Sequence, residues 1–275
     1  MKMSKDLTNT ENNPLFQNAA FRERIKAQAD KAREKATLDE EASGIPFISI
    51  KGGRLTIKDA RVANDAMIGI ILCERYEKTY YSQRYNPNEI VSPDCFALSD
   101  DKAALEPHKN SSKPQNTQCA NCPNNEYETA KLGKGKACSD KIRLAILAVT
   151  ECDDLDDPAI VEDPEFYKTA KIIYMKVPPA SLKNYRELRK TIVRAQLPTH
   201  VVYTKITAKM DASNSYPEVT FEPYTPLSDM DILNNVEEKL KIAEEEIDTP
   251  YPAEQEAKES TKTEPSPAGM KKAKF

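Results

Sequence analysis

Lys171–Gln196 reads KIIYMKVPPASLKNYRELRKTIVRAQ, and the reading of the fold turns on it. Lys171–Val177 is a short run of β-branched and aromatic residues, the composition of a strand. Pro178-Pro179 ends it, because proline supplies no backbone donor to a ladder. Ser181 follows as a candidate N-cap. Leu182, Tyr185, Leu188, Ile192 and Ala195 then recur at three- and four-residue spacing, which predicts a helix over 182–196 with one apolar face. Pro198 lies just beyond its end.

Outward from this centre the pattern is mostly β. HVVYTKITAKM (200–210) and YPEVTFEPY (216–224) predict two strands around an Asp-Ala-Ser-Asn-Ser turn. Upstream, IRLAILAVT (142–150) and MIGIILCERYEKTYY (67–81) predict two more, and PFISI and RLTI flank a Lys51-Gly-Gly53 hairpin turn. The central order is strand, insertion, strand, acidic loop, strand, helix, strand, strand. That is the element order of an OB-fold, a five-stranded Greek-key barrel with one helix between its third and fourth strands. A general α+β sandwich has the same order, so the expected class is mainly β with accessory helices, and OB-like in particular.

Bulk composition limits what else the chain holds. Of 275 residues, 39% are apolar and 31% charged, so part of the length is linker or tail. No apolar run approaches the roughly 20 residues that span a bilayer. The beginning, MKMSKDLTNTENN, lacks the apolar core of a secretory signal, which points to a reducing cytosol and away from disulfides. The net charge of −4 conceals segregation. Residues 171–209 hold nine Lys or Arg against one acid, 222–264 hold thirteen acids against four lysines, and 151–165 hold eight acids and no base. A basic module with acidic flanks says more about partners than about fold.

Cys95, Cys119, Cys122 and Cys138 all fall in 86–140, a stretch rich in Pro, Asn and Ser without periodicity. Their intervening gaps of 23, 2 and 15 residues place a CxxC knuckle, QCANCPNN (118–125), between two distant thiols. Thiolate is a soft ligand and four of them satisfy tetrahedral zinc. Four thiolates also satisfy an iron–sulfur cluster. A long loop that burial alone cannot order would gain on the order of 10 kcal/mol from structural zinc. His108 lies between the first two cysteines with the character of an exposed residue, and Cys73 and Cys152, in or beside strands, read as small buried apolar residues.

A second constellation is aromatic and basic. Arg75, Tyr76, Lys78, Tyr80, Tyr81 and Arg84 crowd one strand and its exit, and alternation puts Tyr76, Lys78 and Tyr80 on one face. Tyr174 with Lys176, and Tyr203 with Lys205, repeat the pairing on two other strands, while Lys134 and Lys136 stand at glycine turns. Tyrosine stacks on any base and a neighbouring cation meets phosphate, the way sequence-tolerant single-strand binders work. Catalytic patterns are thin: two histidines, neither near a nucleophile, and carboxylates in solvated runs such as DDLDD.

The segments PFISIKGGRLTI, CFALSD, TQCANCPNN, GKGKACSDKIRLAIL, VPPASLKNYRELRKTI, THVVYTKIT and YPEVTFEP together resemble a group of tailed-phage proteins of replication modules, over about residues 45–225. The resemblance implies a single-stranded-DNA-binding protein in the cytoplasm of an infected bacterium. In architecture the chain also resembles zinc-carrying phage single-strand binders, which use a histidine and three cysteines at shorter gaps where this chain has four cysteines. Such binders recruit replication proteins through acidic tails, whereas this chain ends Met-Lys-Lys-Ala-Lys-Phe275.

The expected organisation is a disordered or helical arm over 1–44 and an OB-like nucleic-acid-binding domain over 45–227. That domain contains the 86–140 zinc insertion and precedes an acidic helix over 228–248 and a disordered acidic tail over 249–275. The expected function is non-catalytic binding of single-stranded DNA in replication or recombination, with replication proteins as possible partners of the acidic region and no membrane. The competing readings are a zinc-containing transcription regulator or protein adaptor and, behind it, a DNA-processing enzyme.

Overall fold

Phe47–Lys51 (β1) and Arg54–Ile57 (β2) form the hairpin that the double glycine predicts, with Lys51 opposite Arg54. Gly52 and Gly53 take φ of 58° and 72°, the left-handed pair that a two-residue hairpin turn needs. Gly53 has a second constraint: a Cβ there would stand 2.4 Å from the Met210 backbone nitrogen. No side chain fits.

In chain order there follow β3 (Ala60–Arg61), β4 (Ala66–Tyr80), β5 (Cys95–Ser99) and β6 (Cys138–Glu151). Next come helix α1 (Pro164–Thr169), β7 (Ile172–Val177), helix α2 (Leu182–Arg194), β8 (Val202–Met210), β9 (Pro217–Pro226) and helix α3 (Met230–Glu246). The computed structural model describes residues 46–57, 60–83, 91–131, 133–152, 154–210 and 216–251. The arm expected over 1–44, Arg84, the turn at 211–215 and the tail from 252 lie outside the described residues. From Phe47 the chain forms one compact unit.

The strands make one mixed sheet in the order β3-β2-β1-β7-β6-β4-β8-β9, with β5 beside β8 along the same edge of β4. β4 and β6 pair antiparallel almost throughout, with register shifts between Ile68 and Gly69 and between Ile71 and Cys73. Bulges of this kind bend a strand and sharpen its twist. The sheet accordingly curls into a half-barrel. The β1–β2 turn meets the end of β8, although several strands separate them in the sheet order.

The concave face holds the main core. Ile48, Ile142, Leu144, Ile146, Ile173, Met175 and Val177 line it, and α2 closes it with Leu182, Tyr185, Leu188 and Ile192. These are four of the five predicted positions; the fifth, Ala195, is exposed at the C-cap, and the helix ends at Arg194 and not at 196. Ser181 departs from expectation, because its hydroxyl accepts from the Val219 amide at 2.8 Å and leaves the helix end uncapped by that side chain. The opposite face lies beneath α3, whose N-cap Asp229 accepts from the amides of Asp231 and Ile232.

Several elements differ from expectation. Among the described residues the sheet has nine strands, not five, because β1 joins the edge of β7 in parallel and brings β2 and β3 with it, and β5 pairs with β4. The 86–140 stretch contains a regular strand, β5, and the acidic loop ends in α1. Residues 249–251, expected in the tail, are docked on the sheet. Among the described residues no helix is long and apolar enough to cross a membrane.

Candidate metal centre and nucleic-acid interface

The four insertion cysteines come together through sheet register. Cys95 on β5 and Cys138 on β6 are both paired with Tyr80 of β4, one on each side, so all three share a row across the sheet. The knuckle folds onto this row. The Cys119 amide donates to the Leu105 carbonyl at 3.1 Å, and the Asn125 amide to the Cys122 carbonyl at 2.9 Å. Cys95, Cys119, Cys122 and Cys138 are each 7% exposed and line one small pocket with Tyr80, Pro107 and Asn124. Burial pushes the Cys119 thiol up to about 11 and Cys138 up to about 12; the neighbouring thiols add to this and the Lys78 ammonium opposes it. Among the described residues no group of three or more His, Cys, Asp or Glu is drawn together as a metal-ligand set. The thiols share a pocket wall without that closer grouping.

A charged clip holds the knuckle to the sheet. Lys78 is buried, and its ammonium donates to Asn125 Oδ1 at 2.6 Å and to the Asp140 carboxylate. Lys136 donates to the same Asn125 oxygen at 3.1 Å and to Asp140 Oδ2 at 3.1 Å. Asn125 returns a bond from its side-chain nitrogen to the Cys119 carbonyl at 3.0 Å. Burial raises the Asp140 carboxyl, but the two lysines outweigh it and hold it below its ordinary value. Two of the expected phosphate contacts, Lys78 and Lys136, are thus engaged in ordering the insertion. Asn125 and Asp140 were missed, since nothing local marks an Asn after a knuckle as a clip.

The other candidates divide between the two faces. Tyr174 is opposite Ala145 and Tyr76 is opposite Ile142, positions of opposite parity on β6. Tyr174 is 1% exposed and donates to Glu246 of α3 at 2.8 Å. Tyr203 is buried, its hydroxyl 2.8 Å from that of Tyr167 on α1, and Lys205 donates to the Leu155 carbonyl. Arg75 pairs with Asp248 at 2.9 Å. Lys176 lies 4.3 Å from the Phe47 ring, and Tyr81 is half-buried with Lys141 5.9 Å from its ring. Lys134 is exposed. The three Tyr–Lys pairs do not form one stacking face, because α1 and α3 cover two of them.

A different surface collects basic charge. Lys183, Arg186, Lys190 and Arg194 are all exposed on α2. Their three- and four-residue spacing aligns them in one stripe, on the side away from the buried leucines and tyrosine. Beside the stripe is a cleft lined by Tyr76, Lys102, Leu105, Asp140, Leu182 and Arg186. Tyr76 is half-buried there, and Arg189 donates to its hydroxyl at 3.4 Å while pairing with Glu74 at 2.9 Å. The stripe was legible in the sequence as a spacing of cations on a helix already predicted.

No family model, curated protein or solved structure matches the chain. Its functional reading therefore stands on its own side chains. His108, expected exposed, is half-buried and stacked on Phe96 at 4.8 Å, with Nδ1 accepting from the Asn110 amide at 3.1 Å.

Proposed function

We propose that the protein is a non-catalytic single-stranded-DNA-binding protein with an OB-like barrel and a zinc-ordered insertion. The observation that carries the reading is the exposed Lys183–Arg186–Lys190–Arg194 stripe beside a cleft whose lining includes Tyr76, Lys102 and Arg186. Aligned cations track a phosphate backbone, and a partly exposed tyrosine in a cleft with cations offers a base a contact. The path β9-β8-β4-β6-β7, with α2 between β7 and β8, supports the barrel assignment, since that is the order and helix position of the Greek-key barrel.

The donor set fits zinc. Four thiols from β5, the knuckle and β6 line one buried pocket without a carboxylate among its walls. Cys95, Cys119, Cys122 and Cys138 would hold the ion, and its role there would be structural, a crosslink between β5, the knuckle and β6. An iron–sulfur cluster satisfies the same donors, and visible absorption with metal analysis separates the two. In this reading the setting is phage replication or recombination in the bacterial cytoplasm, with the acidic C-terminal region recruiting replication proteins.

The α2 stripe also favours a second reading, a zinc-containing regulator that lays a basic helix on duplex DNA. Titration with labelled oligo(dT) and with duplex of equal length decides between them. Preference for the single strand supports the first reading and preference for duplex the second. Failure to bind either removes both, and metal-dependent nicking would restore a DNA-processing enzyme.

A further inference from the structure

The face opposite α2 carries a second group of charges, two of which, Glu77 and Lys141, also border the Tyr76 cleft. Glu77 of β4 is opposite Lys141 of β6, and Arg143 of β6 is opposite Lys176 of β7. The Glu77 carboxylate is fully buried and accepts from Arg143 Nε at 2.8 Å. Lys141 and Lys176 rest on rings instead, Lys141 near Tyr81 and Lys176 between Phe47 and Tyr251. Three cations therefore surround one carboxylate, and the site has an excess of positive charge. Burial pushes the Lys176 ammonium down to about 8, with Glu77 pulling against it.

Tyr251 fills the middle of this group. Its ring lies 4.9 Å from Phe96 on one side and 4.0 Å from Lys176 Nζ on the other. His108 stacks behind Phe96, and Phe47 lies beyond the lysine at 4.3 Å. The result is a cluster of rings around a cation, with Phe96 and His108 stacked and Phe96 and Tyr251 edge-on, to which the C-terminal segment contributes Tyr251. Its hydroxyl donates to Glu77 Oε1 at 2.5 Å. The end of α3 is clamped, because Arg143 Nη1 donates to the carbonyls of Ile247 at 3.0 Å and Thr249 at 2.7 Å. Tyr251 lies beyond that clamp, held by its ring and its one hydroxyl.

We propose that Tyr251 is a displaceable plug in a base-binding slot formed by Phe47, Phe96, Glu77 and Lys176, and that its ligand is a nucleobase of a single-stranded nucleic acid. The proposal rests on the single-strand reading above. A base is flat like the tyrosine ring, meets the Phe96 ring where Tyr251 now contacts it edge-on at 67°, and lies under the Lys176 ammonium as the ring does. A base N–H takes over the bond to Glu77 Oε1, so the buried carboxylate keeps its partner. The attached phosphate supplies what a tyrosine lacks, a negative charge for the surplus cations Lys141 and Lys176.

The test uses the full chain. A slot free about one-tenth of the time weakens apparent affinity about tenfold, so Tyr251→Ala is expected to bind oligo(dT) roughly tenfold tighter than wild type. Adding Lys176→Ala erases the gain. The chain contains no tryptophan, so Tyr251→Trp gives a single emitter in the slot, whose emission shifts to the red as oligo(dT) expels it. If wild type binds and Tyr251→Ala binds equally or more weakly, the plug is overturned while the single-strand reading stands. If neither binds oligo(dT), both fall. Should Tyr251→Ala fail to fold, the tryptophan variant decides: unchanged emission at saturating oligo(dT) overturns the proposal.

Discussion

The two halves of β4 are ordered by different forces. Ala66–Leu72 is buried at every position and is flanked by β6 and β8. Cys73–Tyr80 is flanked by β6 and β5, and it carries Glu74, Arg75, Glu77 and Lys78 among its tyrosines. Apolar side chains are satisfied by any well-packed neighbour. Charged ones need specific partners, and these come from far along the chain: Arg189 on α2, Arg143 on β6, Asn125 in the knuckle and Tyr251 after α3. One half is a core strand, and the other is a hub on which insertion, helix and C-terminal segment converge. Both candidate sites lie on the second half.

The largest expected effect breaks the comparison at the thiols. Cys122→Ser is expected to abolish bound zinc and remove on the order of 10 kcal/mol of metal-coupled ordering from the insertion. Limited proteolysis should then cut within 100–136 while the apolar half of the sheet stays protected. Retention of full zinc would falsify the assignment, and an insertion still protected without metal would mean that burial suffices for both halves.

Next in size is the buried pair. Arg143→Ala leaves the enclosed Glu77 carboxylate without its partner, at an expected cost of about 3–5 kcal/mol. Ile70→Ala in the apolar half costs about 2–5 kcal/mol through lost transfer and a cavity. The two differ in what rescues them. Combining Arg143→Met with Glu77→Leu is expected to recover part of the loss, because the buried charge is gone with its partner while Lys141, Lys176, the Tyr251 hydroxyl and the Ile247 and Thr249 carbonyls lose a counterpart. Urea denaturation of the single and paired variants measures this, and absence of any recovery would assign the loss to packing.

Lys176 gives a smaller, pH-dependent effect. Burial lowers its folded pKa to about 8 from 10.5. Between those values the unfolded chain binds more protons than the folded one, so the lysine's contribution to stability rises with pH across about 8 to 10.5. Below about 8 both states are protonated and the burial cost is fully present. Lys176→Met is therefore expected to be more stable than wild type by about 1–3 kcal/mol relative to the same comparison at pH 10.5. Denaturation midpoints at pH 7 and pH 10.5 check it, and a pH-independent difference counts against a cation short of partners.

The smallest effect on folding is on α2. Lys190→Ala removes an exposed cation paired, among the described residues, with exposed Glu187, so stability should move by no more than about 0.5 kcal/mol. The salt dependence of oligo(dT) affinity should fall by about one phosphate contact. An unchanged slope for both Lys190→Ala and Arg186→Ala would move the interface away from the helix.

What the sequence alone determined is what is local. Alternation and β-branching placed β4 and β6 to β9, three- and four-residue spacing placed α2, and the Gly52-Gly53 pair marked the hairpin turn, since each signal depends on a few neighbouring residues; β5 lay hidden in a stretch without periodicity. Tertiary structure alone decided which side of each strand is covered. Alternation says that Tyr174 and Lys176 share a face, but only the packing of α3 over that face makes Tyr174 a buried partner of Glu246. The shift at Ile71/Cys73 leaves Leu72 as an extra residue and changes the parity along β4, and the shift at Ile68/Gly69 does the same to β6 at Val149, so no count from one end of either strand predicts the faces at the other. The parallel joining of β1 to β7, the row of Cys95, Tyr80 and Cys138, and the seating of Tyr251 on Lys176 all pair residues far apart in the chain. Such pairings are selected by the global balance of burial and charge, and no short stretch of residues encodes them.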